Sequence, residues 1–352
     1  MSRLPAPPRH AARPVPVPLV PDPSVVHDNA MRALSRAAVA IGINALNPSM
    51  LPGDYVRRMW PADRDLPMVL KAAISPATTA STPALAAVAQ AFLAALLPQS
   101  AGAGLLNRGL GIRFDGAASI SVPGIALPVA DFVAEGEAIP VTEAPTSAAP
   151  RLERHKLACI AVATSEMLRS PAAEELIRAV LVEATGPALD RVLFSAGAAA
   201  PDRPAGLLFG SAPMPAGANL ADSLVGVTSA VAPVAGNGGI AVVTSPTSSI
   251  AINLLLPREP PVAVLVASNL APGTTIAIAL NALVSAVEGP PGIDASTDAV
   301  VHEETGPMAN IGGGVMAKPL RSLFQSDTVG LKLRWPLSWA LRSPQGVAWI
   351  QG

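Results

Sequence analysis

The fold is decided by residues 151–194, which read RLERHKLACIAVATSEMLRSPAAEELIRAVLVEATGPALDRVLF. The first part, residues 151–162, carries the apolar and small residues of a strand. Ser170-Pro171 is typical of a helix start, because serine accepts a hydrogen bond from unpaired N–H groups and proline lacks only a donor that the first turn does not use. The stretch therefore predicts a strand, a turn and a long helix that ends near Phe194.

The predicted helix has one apolar face, formed by Leu176, Val180, Ala184 and Ala188. Glu174 and Glu175 in the first turn interact favourably with the helix dipole. Gly186-Pro187 lies inside the pattern, and a proline there leaves a carbonyl without its partner. We expect a kink at this point, or two stacked helices.

The chain beyond this helix alternates short apolar runs with glycine and proline, which favours a compact α/β lobe over residues 202–291. The predicted strands of this lobe are residues 240–244, 262–266 and 275–278. Further on, residues 328–335 alternate strictly, with Val329, Leu331, Leu333 and Trp335 on one side and Lys332 and Arg334 on the other, as in a strand with one solvated face. A short strand is predicted over residues 346–350.

Upstream of the opening stretch, residues 134–150 contain glutamate, glycine and proline without a long apolar run, which predicts an exposed loop or long hairpin. Alternation with a period of two from Gly111 indicates strands. Helical spacing predicts helices over residues 29–45 and 83–97. The fold class is therefore α+β.

Eight prolines fall between residues 5 and 23, and each fixes φ and removes a backbone donor. This segment predicts an extended arm rather than a helix or a central strand. Residues 48–82 show a mixed pattern. Two interpretations of residues 1–75 stay open, a folded domain or a detachable leader.

The composition favours contacts between subunits. Half of the residues are apolar and 14% are charged, so much apolar surface must be hidden. The apolar runs are too short or too interrupted to span a membrane, and no secretory signal is evident. Obligate interfaces resemble a domain core cut in half, and they are the remaining way to hide such surface.

Charge and cysteine content exclude other classes. The net charge is −1, so any contact with DNA should be weak and without sequence specificity. The single cysteine, Cys159, excludes an internal disulfide framework and any cysteine-cluster metal site, and a buried small residue is its expected role.

The sequence contains no motif typical of catalytic, cofactor-binding or metal-binding residues. His302-Glu303-Glu304 lacks the second histidine of a zinc-protease helix, since that position is Gly306. The glycine cluster at residues 236–239 lacks the residues that follow a phosphate-binding loop, and a turn is expected there. Glu135 and Glu137 lie two apart on an extended segment and are interpreted as a solvated face.

Several stretches resemble the major capsid proteins of tailed bacteriophages and prophages, which have the Hong Kong 97 fold. They occur in the family's order, namely FVAEGEAIPV at 132–141, KLA at 156–158, TSEML at 164–168, the long helix, SLFQSDTVGL at 322–331 and WALR at 339–342. The resemblance covers roughly residue 65 to the C-terminus. It is firmest over residues 131–195 and 318–350.

The resemblance implies a non-enzymatic subunit that forms pentamers and hexamers of an icosahedral shell around double-stranded DNA in the virion, after assembly in the host cytoplasm. The implied partners are copies of the same chain, the portal, and scaffolding or maturation protease, with no membrane and no cofactor. The implied segments are an arm and leader (1–75), an N-terminal arm with the first strands (76–131), an E-loop (132–157), a peripheral domain with the spine helix (158–203), an axial domain (204–290) and peripheral return strands (291–352).

The expected inter-subunit contacts flank the E-loop, and they are Glu135, Glu137, Arg151, Glu153, Arg154 and Lys156. Some family members cross-link an E-loop lysine to a neighbour. The nearest lysine here is Lys156, inside the returning strand, so a shell held by non-covalent overlap is expected. The alternatives are a soluble α/β enzyme with a site in residues 204–290, or another virion shell protein.

Overall fold

A computed structural model describes residues 23–74, 83–124, 150–255, 262–302, 309–310, 316–317 and 320–351. The helices are α1 Pro23–Leu46, α2 Pro52–Met59, α3 Leu66–Ile74, α4 Pro83–Leu96, α5 Ala101–Arg108, α6 Ser165–Arg169, α7 Ala173–Leu193, α8 Leu220–Ala235 and α9 Pro246–Leu255. The longer strands are β4 His155–Thr164 and β14 Thr328–Leu341. The shorter strands are β1 Leu110–Arg113, β2 Ser119–Ser121, β3 Arg151–Glu153, β5 Ile240–Thr244, β6 Ala263–Val266, β7 Thr275–Ala279, β8 Leu283–Val287, β9 Gly292–Ser296, β10 Val300–His302, β11 Ala309–Asn310, β12 Met316–Ala317, β13 Leu320–Ser322 and β15 Val347–Ile350.

Strand β14 lies at the centre of the larger sheet. One of its edges pairs antiparallel with β4 over ten residue pairs. Its other edge pairs antiparallel first with β9 and then with β8, and β1 joins β8 in parallel. The predicted strand over residues 328–335 is thus confirmed, and it continues to Leu341.

The alternation along β14 matches its burial. The side chains of Val329, Leu331, Leu333 and Trp335 are fully buried. On the opposite face Lys332 is exposed and Arg334 forms an ion pair with Asp294 at 2.9 Å. Phe92 of α4 packs edge-on against Trp335, with 5.1 Å between ring centroids, so the buried face of this strand is the floor on which the helices pack.

A second sheet has the strand order β15-β7-β5-β6. Strands β5 and β6 are parallel and connected through α9, whereas β7 runs antiparallel to β5 and β15. The strands predicted over residues 240–244, 262–266 and 275–278 are confirmed to within one residue. Because β15 pairs with β7, the segment 291–352 contributes strands to both sheets.

The N-terminal helices belong to the main core. The helices predicted over residues 29–45 and 83–97 are confirmed as α1 and α4, while α2 and α3 lie in the segment that the sequence left as mixed. Met31, Leu34 and Ala38 of α1 are almost completely buried, in the same cluster as Leu331. Residues 1–22, with most of the predicted proline arm, lie outside the described residues.

One arginine ties these helices together. Arg36 of α1 bonds the carboxylate of Asp63, before α3, at 2.7 Å and that of Glu174 on α7 at 2.9 Å. Its guanidinium also lies over the ring of Trp60, 5.4 Å from the ring centroid. All three partners are separated from Arg36 along the chain, so α1 is held in place by charge as well as by apolar packing.

The long helix is confirmed, but two details of its prediction were wrong. The helix begins at Ala173, because Ser170 and Pro171 form the turn that follows α6. Its buried side follows Ala173, Ile177, Leu181, Thr185 and Leu189, with Val182, Gly186, Asp190 and Leu193 beside them. Leu176 is exposed, so the predicted face is rotated by one residue. The helix runs through Pro187 as a single element.

Cys159 faces α7 from β4 and is half-buried, with its sulfur 3.8 Å from the Thr185 hydroxyl. Burial raises the pKa of this thiol. A raised pKa lowers the fraction of reactive thiolate, so the position agrees with the packing role predicted for Cys159.

Asp190 locks α7 to the start of α5. Its carboxylate accepts hydrogen bonds from the Ser100 hydroxyl, the Ala101 N–H at 3.0 Å and the Gly102 N–H at 2.8 Å. Burial raises the pKa of Asp190, and these three bonds act in the opposite direction. A Cβ on Gly102 would lie 2.7 Å from this carboxylate, so the close approach requires glycine.

Removal of residues 1–74 should prevent folding, because it exposes the buried face of β14 and the partners of α1. Removal of residues 1–22 should leave the fold intact, since no described helix or strand is lost. Circular dichroism and thermal unfolding of both purified chains test this. The prediction would be contradicted if the chain without residues 1–74 unfolded cooperatively at the same temperature as the full-length chain.

Asp190→Asn should lower the free energy of unfolding by about 1–3 kcal/mol, because an amide nitrogen cannot accept and at least one buried donor loses its partner. Asp202→Asn is the matched control on an exposed side chain and should change stability by less than about 0.5 kcal/mol. Urea denaturation of the unassembled subunit measures both. Equal effects of the two substitutions would show that the bonds of Asp190 contribute nothing.

Candidate subunit interface

A short ribbon of two strands flanks the interval that contains most of the predicted E-loop, with β2 before residue 132 and β3 within the predicted range 132–157. Strand β2 pairs antiparallel with β3, and the Val122 N–H donates to the Pro150 carbonyl at 3.0 Å. Residues 125–149, which include Glu135 and Glu137, lie outside the described residues. Val122 and Pro150, near the two ends of this interval, are therefore adjacent in the fold.

The ribbon has its own small core. Leu152, Phe114 and Val122 are buried together with Val284 and Ala286 of β8. Leu152 alternates with the exposed Arg151 and Glu153 on β3, as expected for a strand with one buried face. The base of the predicted loop is thus rigidly attached to the larger sheet.

The four described contact candidates lie on this base and differ in their environment. Arg151 donates to the Ser119 hydroxyl at 3.0 Å and lies 3.9 Å from Glu153, while both side chains stay largely exposed. Lys156 is also exposed. Arg154 instead forms an ion pair with Glu288 of the same chain at 2.6 Å, which ties the base of the loop to the end of β8.

Two contacts at this base had no signal in the sequence. Glu288 lies 134 residues from Arg154 along the chain. Arg342, from the end of β14, donates to the Pro123 carbonyl at 3.0 Å. Each pair is separated by more than 130 residues of sequence, so local sequence patterns give no sign of the contact. The two residues of each pair come together only in the folded chain.

A cleft of about 360 Å³ lies next to the same base. Arg151 and Glu153 line one side, and the half-exposed Phe209 and the ring of Trp339 contribute apolar surface. The buried Nδ1 of His155 has no hydrogen-bond partner among the described residues. This mixture of charge and aromatic surface is typical of protein contact sites.

The glycine cluster in the smaller lobe forms a turn. Gly236 and Gly239 have positive φ, and Asn281 donates to the Ala235 carbonyl at 2.7 Å. A Cβ on Gly238 would lie 1.7 Å from the Asn281 side chain. Gly238 is therefore needed for close packing against Asn281, and Gly236 and Gly239 adopt the backbone conformation that favours glycine. The segment is a turn, as predicted from the sequence. Within the described part of the chain, no three His, Cys, Asp or Glu residues come close enough to hold a metal ion.

Exposed apolar side chains occur on both sheets and on the helices beside them. Ile250 and Leu254, one turn apart on α9, are 62% and 79% exposed. On β4, Ile160 and Val162 are exposed as well, and Phe324 is exposed before β14. Single exposed apolar residues are common in monomers, whereas contiguous apolar patches mark contact surfaces, which makes the pairs on α9 and β4 candidates for such contacts. None of the helices that the structure describes has the length and apolar character needed to cross a bilayer.

Comparison with known proteins identifies the family. The family model described as "Phage capsid family" matches residues 49–255, more than half of the chain. This chain belongs to the phage capsid family. The match extends from before α2 to the end of α9, and it confirms the resemblance found in the sequence and the structural role that it implies. The helices and strands of this capsid protein form the α+β fold that the resemblance predicts.

Several solved structures are similar at low sequence identity. One is from Mycobacterium phage Bobi, with 16% identity, a TM-score of 0.46, and coverage of 72% of this chain and 90% of that chain. Another is the satellite phage P4 procapsid including the size determination protein, with 8% identity, a TM-score of 0.48, and coverage of 75% and 99%. A third is a virus-like particle from Pyrococcus furiosus, with 13% identity, a TM-score of 0.42, and coverage of 74% and 97%. No curated protein matches the chain.

Leu254→Glu should reduce self-association strongly while changing the stability of the isolated subunit by less than about 0.5 kcal/mol, because a charge is tolerated in water but not in an apolar contact. Asn253→Glu places the same charge on the neighbouring exposed position and serves as the control. Size-exclusion chromatography and negative-stain imaging measure the assembled fraction. Equal assembly of both variants would show that this face of α9 contacts nothing.

Proposed function

We propose that this capsid protein assembles into hexamers and pentamers of an icosahedral shell that encloses double-stranded DNA. The observation that carries the proposal is the family match over residues 49–255. The composition supports it, since a chain with half apolar and 14% charged residues needs extensive contacts with its own copies. The virion is the corresponding location, with assembly in the host cytoplasm.

The E-loop supplies a central contact in this proposal. Its base is rigid because the β2–β3 ribbon has a core of its own and Arg154 is bound to Glu288. Arg151, Glu153 and Lys156 keep their charges accessible at this base. In the proposed shell the loop lies over a neighbouring subunit, where Glu135 and Glu137 pair with basic side chains and set the register. Arg154 acts within its own chain, as the anchor of the base.

In the proposed subunit the two sheets belong to the two lobes expected from the resemblance. The larger sheet, with α7 beside it, would form the peripheral domain, and the sheet of β5, β6, β7 and β15 would form the axial domain. Strands β8 and β15 connect the lobes, because β8 follows β7 closely but joins the larger sheet, while β15 follows β14 and joins the smaller one. This exchange would make the subunit a single mechanical unit within a shell.

The packing of α1, α2 and α3 limits how much of residues 1–75 could be removed by processing. A leader that is cleaved near residue 75 would take α1, α2 and α3 with it, and these helices carry part of the main core. The proposed mature subunit therefore keeps residues 23–74, and any processing by a maturation protease is confined to the arm before α1. Scaffolding and portal proteins are the further partners of the proposed assembly.

Contact with DNA is proposed to be weak and non-specific, in keeping with a net charge of −1. A catalytic role is not part of the proposal. The alternative enzyme would use the glycine turn at residues 236–239, and that turn is filled by its packing against Asn281. The structural role therefore has the better support.

Deletion of residues 137–149 tests the role of the loop. We expect a folded subunit, because the ribbon and its core remain, but no stable shells, because the overlap with the neighbour is lost. Negative-stain imaging and mass photometry of the expressed full-length and deleted chains measure assembly, and circular dichroism measures folding.

The matched control replaces residues 137–149 with a glycine-serine segment of equal length, which keeps the connection but removes its side chains. It should also fail to form stable shells. Normal shells from either variant would show that the loop does not hold neighbours together, and a compact monomer from the unmodified chain would contradict the proposed function itself.

A further inference from the structure

Strand β4 is an edge strand of the larger sheet. It pairs with β14 on one side, and within the described part of the chain no other strand pairs with it. Alternate residues of this ten-residue strand thus present unpaired N–H and C=O groups along the opposite side. Edge strands of this length are usually protected by charges, prolines or bulges. Here Lys156 is the single charge beyond His155, so the edge is open to another strand.

A hydrogen bond at the end of β4 shows which of its residues direct their backbone groups to the free edge. The Ser165 N–H donates to the Asp327 carbonyl on the β14 side. Bonding groups alternate along a strand, so residues 163, 161, 159 and 157 also point their backbone groups toward β14. The free groups therefore belong to the even-numbered residues Lys156, Ala158, Ile160, Val162 and Thr164.

The same even-numbered residues form the exposed face of β4. Ile160 is 57% exposed and Val162 is 39% exposed, so two β-branched apolar side chains lie directly beside the free edge. A strand that pairs antiparallel with this edge places the side chains of its bonded residues on that same face. It gains both hydrogen bonds and apolar contact if its bonded residues are apolar.

The N-terminal arm contains a segment with this property. Residues 14–19 read PVPVPL, with proline at each even-numbered position. In an extended chain, successive residues direct their backbone groups to alternate edges. The edge that belongs to the three prolines would lack N–H donors, whereas the edge that belongs to Val15, Val17 and Leu19 would keep them. Such a strand can pair along one edge only, which suits a terminal strand and prevents further growth of the sheet.

We propose that residues 14–19 of one subunit add to the free edge of β4 of a neighbouring subunit as an antiparallel strand. Val15, Val17 and Leu19 make the hydrogen bonds and cover Ile160 and Val162. This inference rests on the proposed shell function, because it needs a second copy of the chain. The parallel arrangement is disfavoured, since it would place the three apolar side chains on the face of β4 that its own core already fills.

The position of α1 explains why the neighbour supplies the strand. The arm is connected to Pro23, and Asp28 of α1 bonds Arg178 of α7 at 2.8 Å. Helix α1 packs against β9 and β14, whereas α7 packs against β4, so α7 separates the start of α1 from the free edge. The four residues from Leu19 to Pro23 span at most about 14 Å, too little to pass around a helix about 10–12 Å in diameter.

Disulfide trapping between two kinds of subunit tests the proposal. In a Cys159→Ala background, one chain with an affinity tag carries Val17→Cys, and an untagged chain carries Ala158→Cys, Ile160→Cys or Val162→Cys. The two are co-expressed, assembled and oxidised. We expect a heterodimer on a non-reducing gel for at least one of the three positions, because Cα atoms of directly paired residues lie about 5.5 Å apart.

Pro16→Cys is the matched control in the arm, since its side chain points to the opposite face, and it should give no heterodimer. Assembled particles without any heterodimer would overturn the strand addition and leave the shell function standing. A β4–β4 homodimer through Ile160→Cys, or a cross-link within one chain, would overturn it as well. Failure of the unmodified chain to assemble would contradict the shell function.

A second variant removes the hydrogen bonds without cysteine chemistry. Val17→Pro deletes the central donor of the bonding edge, and Pro16→Ala is its control on the non-bonding edge. The first should raise the subunit concentration needed for assembly about tenfold, with an unchanged thermal transition of the unassembled subunit. Equal assembly of both variants would overturn the proposal.

Discussion

The pairing of β14 along both of its edges is the constraint on which the rest of the subunit depends. One edge binds β4, and with it the return from the loop; the other binds β9 and β8. Its buried face carries the helices of the core through Leu331, Leu333 and Trp335. A change that shifts this strand by one residue would exchange its buried and exposed faces, and every helix packed on it would lose its partner.

The N-terminal helices pack on the sheet that β14 organises and are bonded to the long helix α7. Helix α1 lies on the sheet, Arg36 ties it to Glu174 on α7, and Asp190 on α7 in turn caps α5. These bonds connect segments that are far apart along the chain, so the N-terminal helices stabilise the position of α7 and are an integral part of the folded subunit. Their buried carboxylate and guanidinium groups each have partners, as low-dielectric surroundings require.

Much of the fold was predictable because the decisive signals are local. The period of two along residues 328–335 and the apolar runs of β5, β6 and β7 each report on a few adjacent side chains, and the structure confirms them. Helix α2 also had a signal, with Pro52 and Asp54 at its start and Arg57 and Arg58 at its end, but its eight residues make only about two turns, too few for an apolar repeat to be recognised in the sequence.

The errors arose where long-range packing decides. The buried face of α7 includes Thr185, Gly186 and Asp190, whose burial depends on α5 and β4, so the count of apolar residues selected the wrong face. The addition of β15 to β7 and the pair of Arg154 with Glu288 join distant segments and leave no periodic trace. At the candidate interface, the sequence predicts an exposed segment over residues 134–150, nearly all of which lies outside the described residues, while the partners of the charges that follow it emerged only from the fold.

The hydrogen bond between Val122 and Pro150, beside the β2–β3 ribbon, affects how far the length of the segment between them can change. Because the β2–β3 ribbon and its core hold both ends of the loop together, the length of the connection is independent of the body that carries it. Doubling a flexible connection costs only about 0.6 kcal/mol in closure entropy. A longer, shorter or different segment can therefore be accommodated between residues 124 and 150 while the subunit keeps its core unchanged.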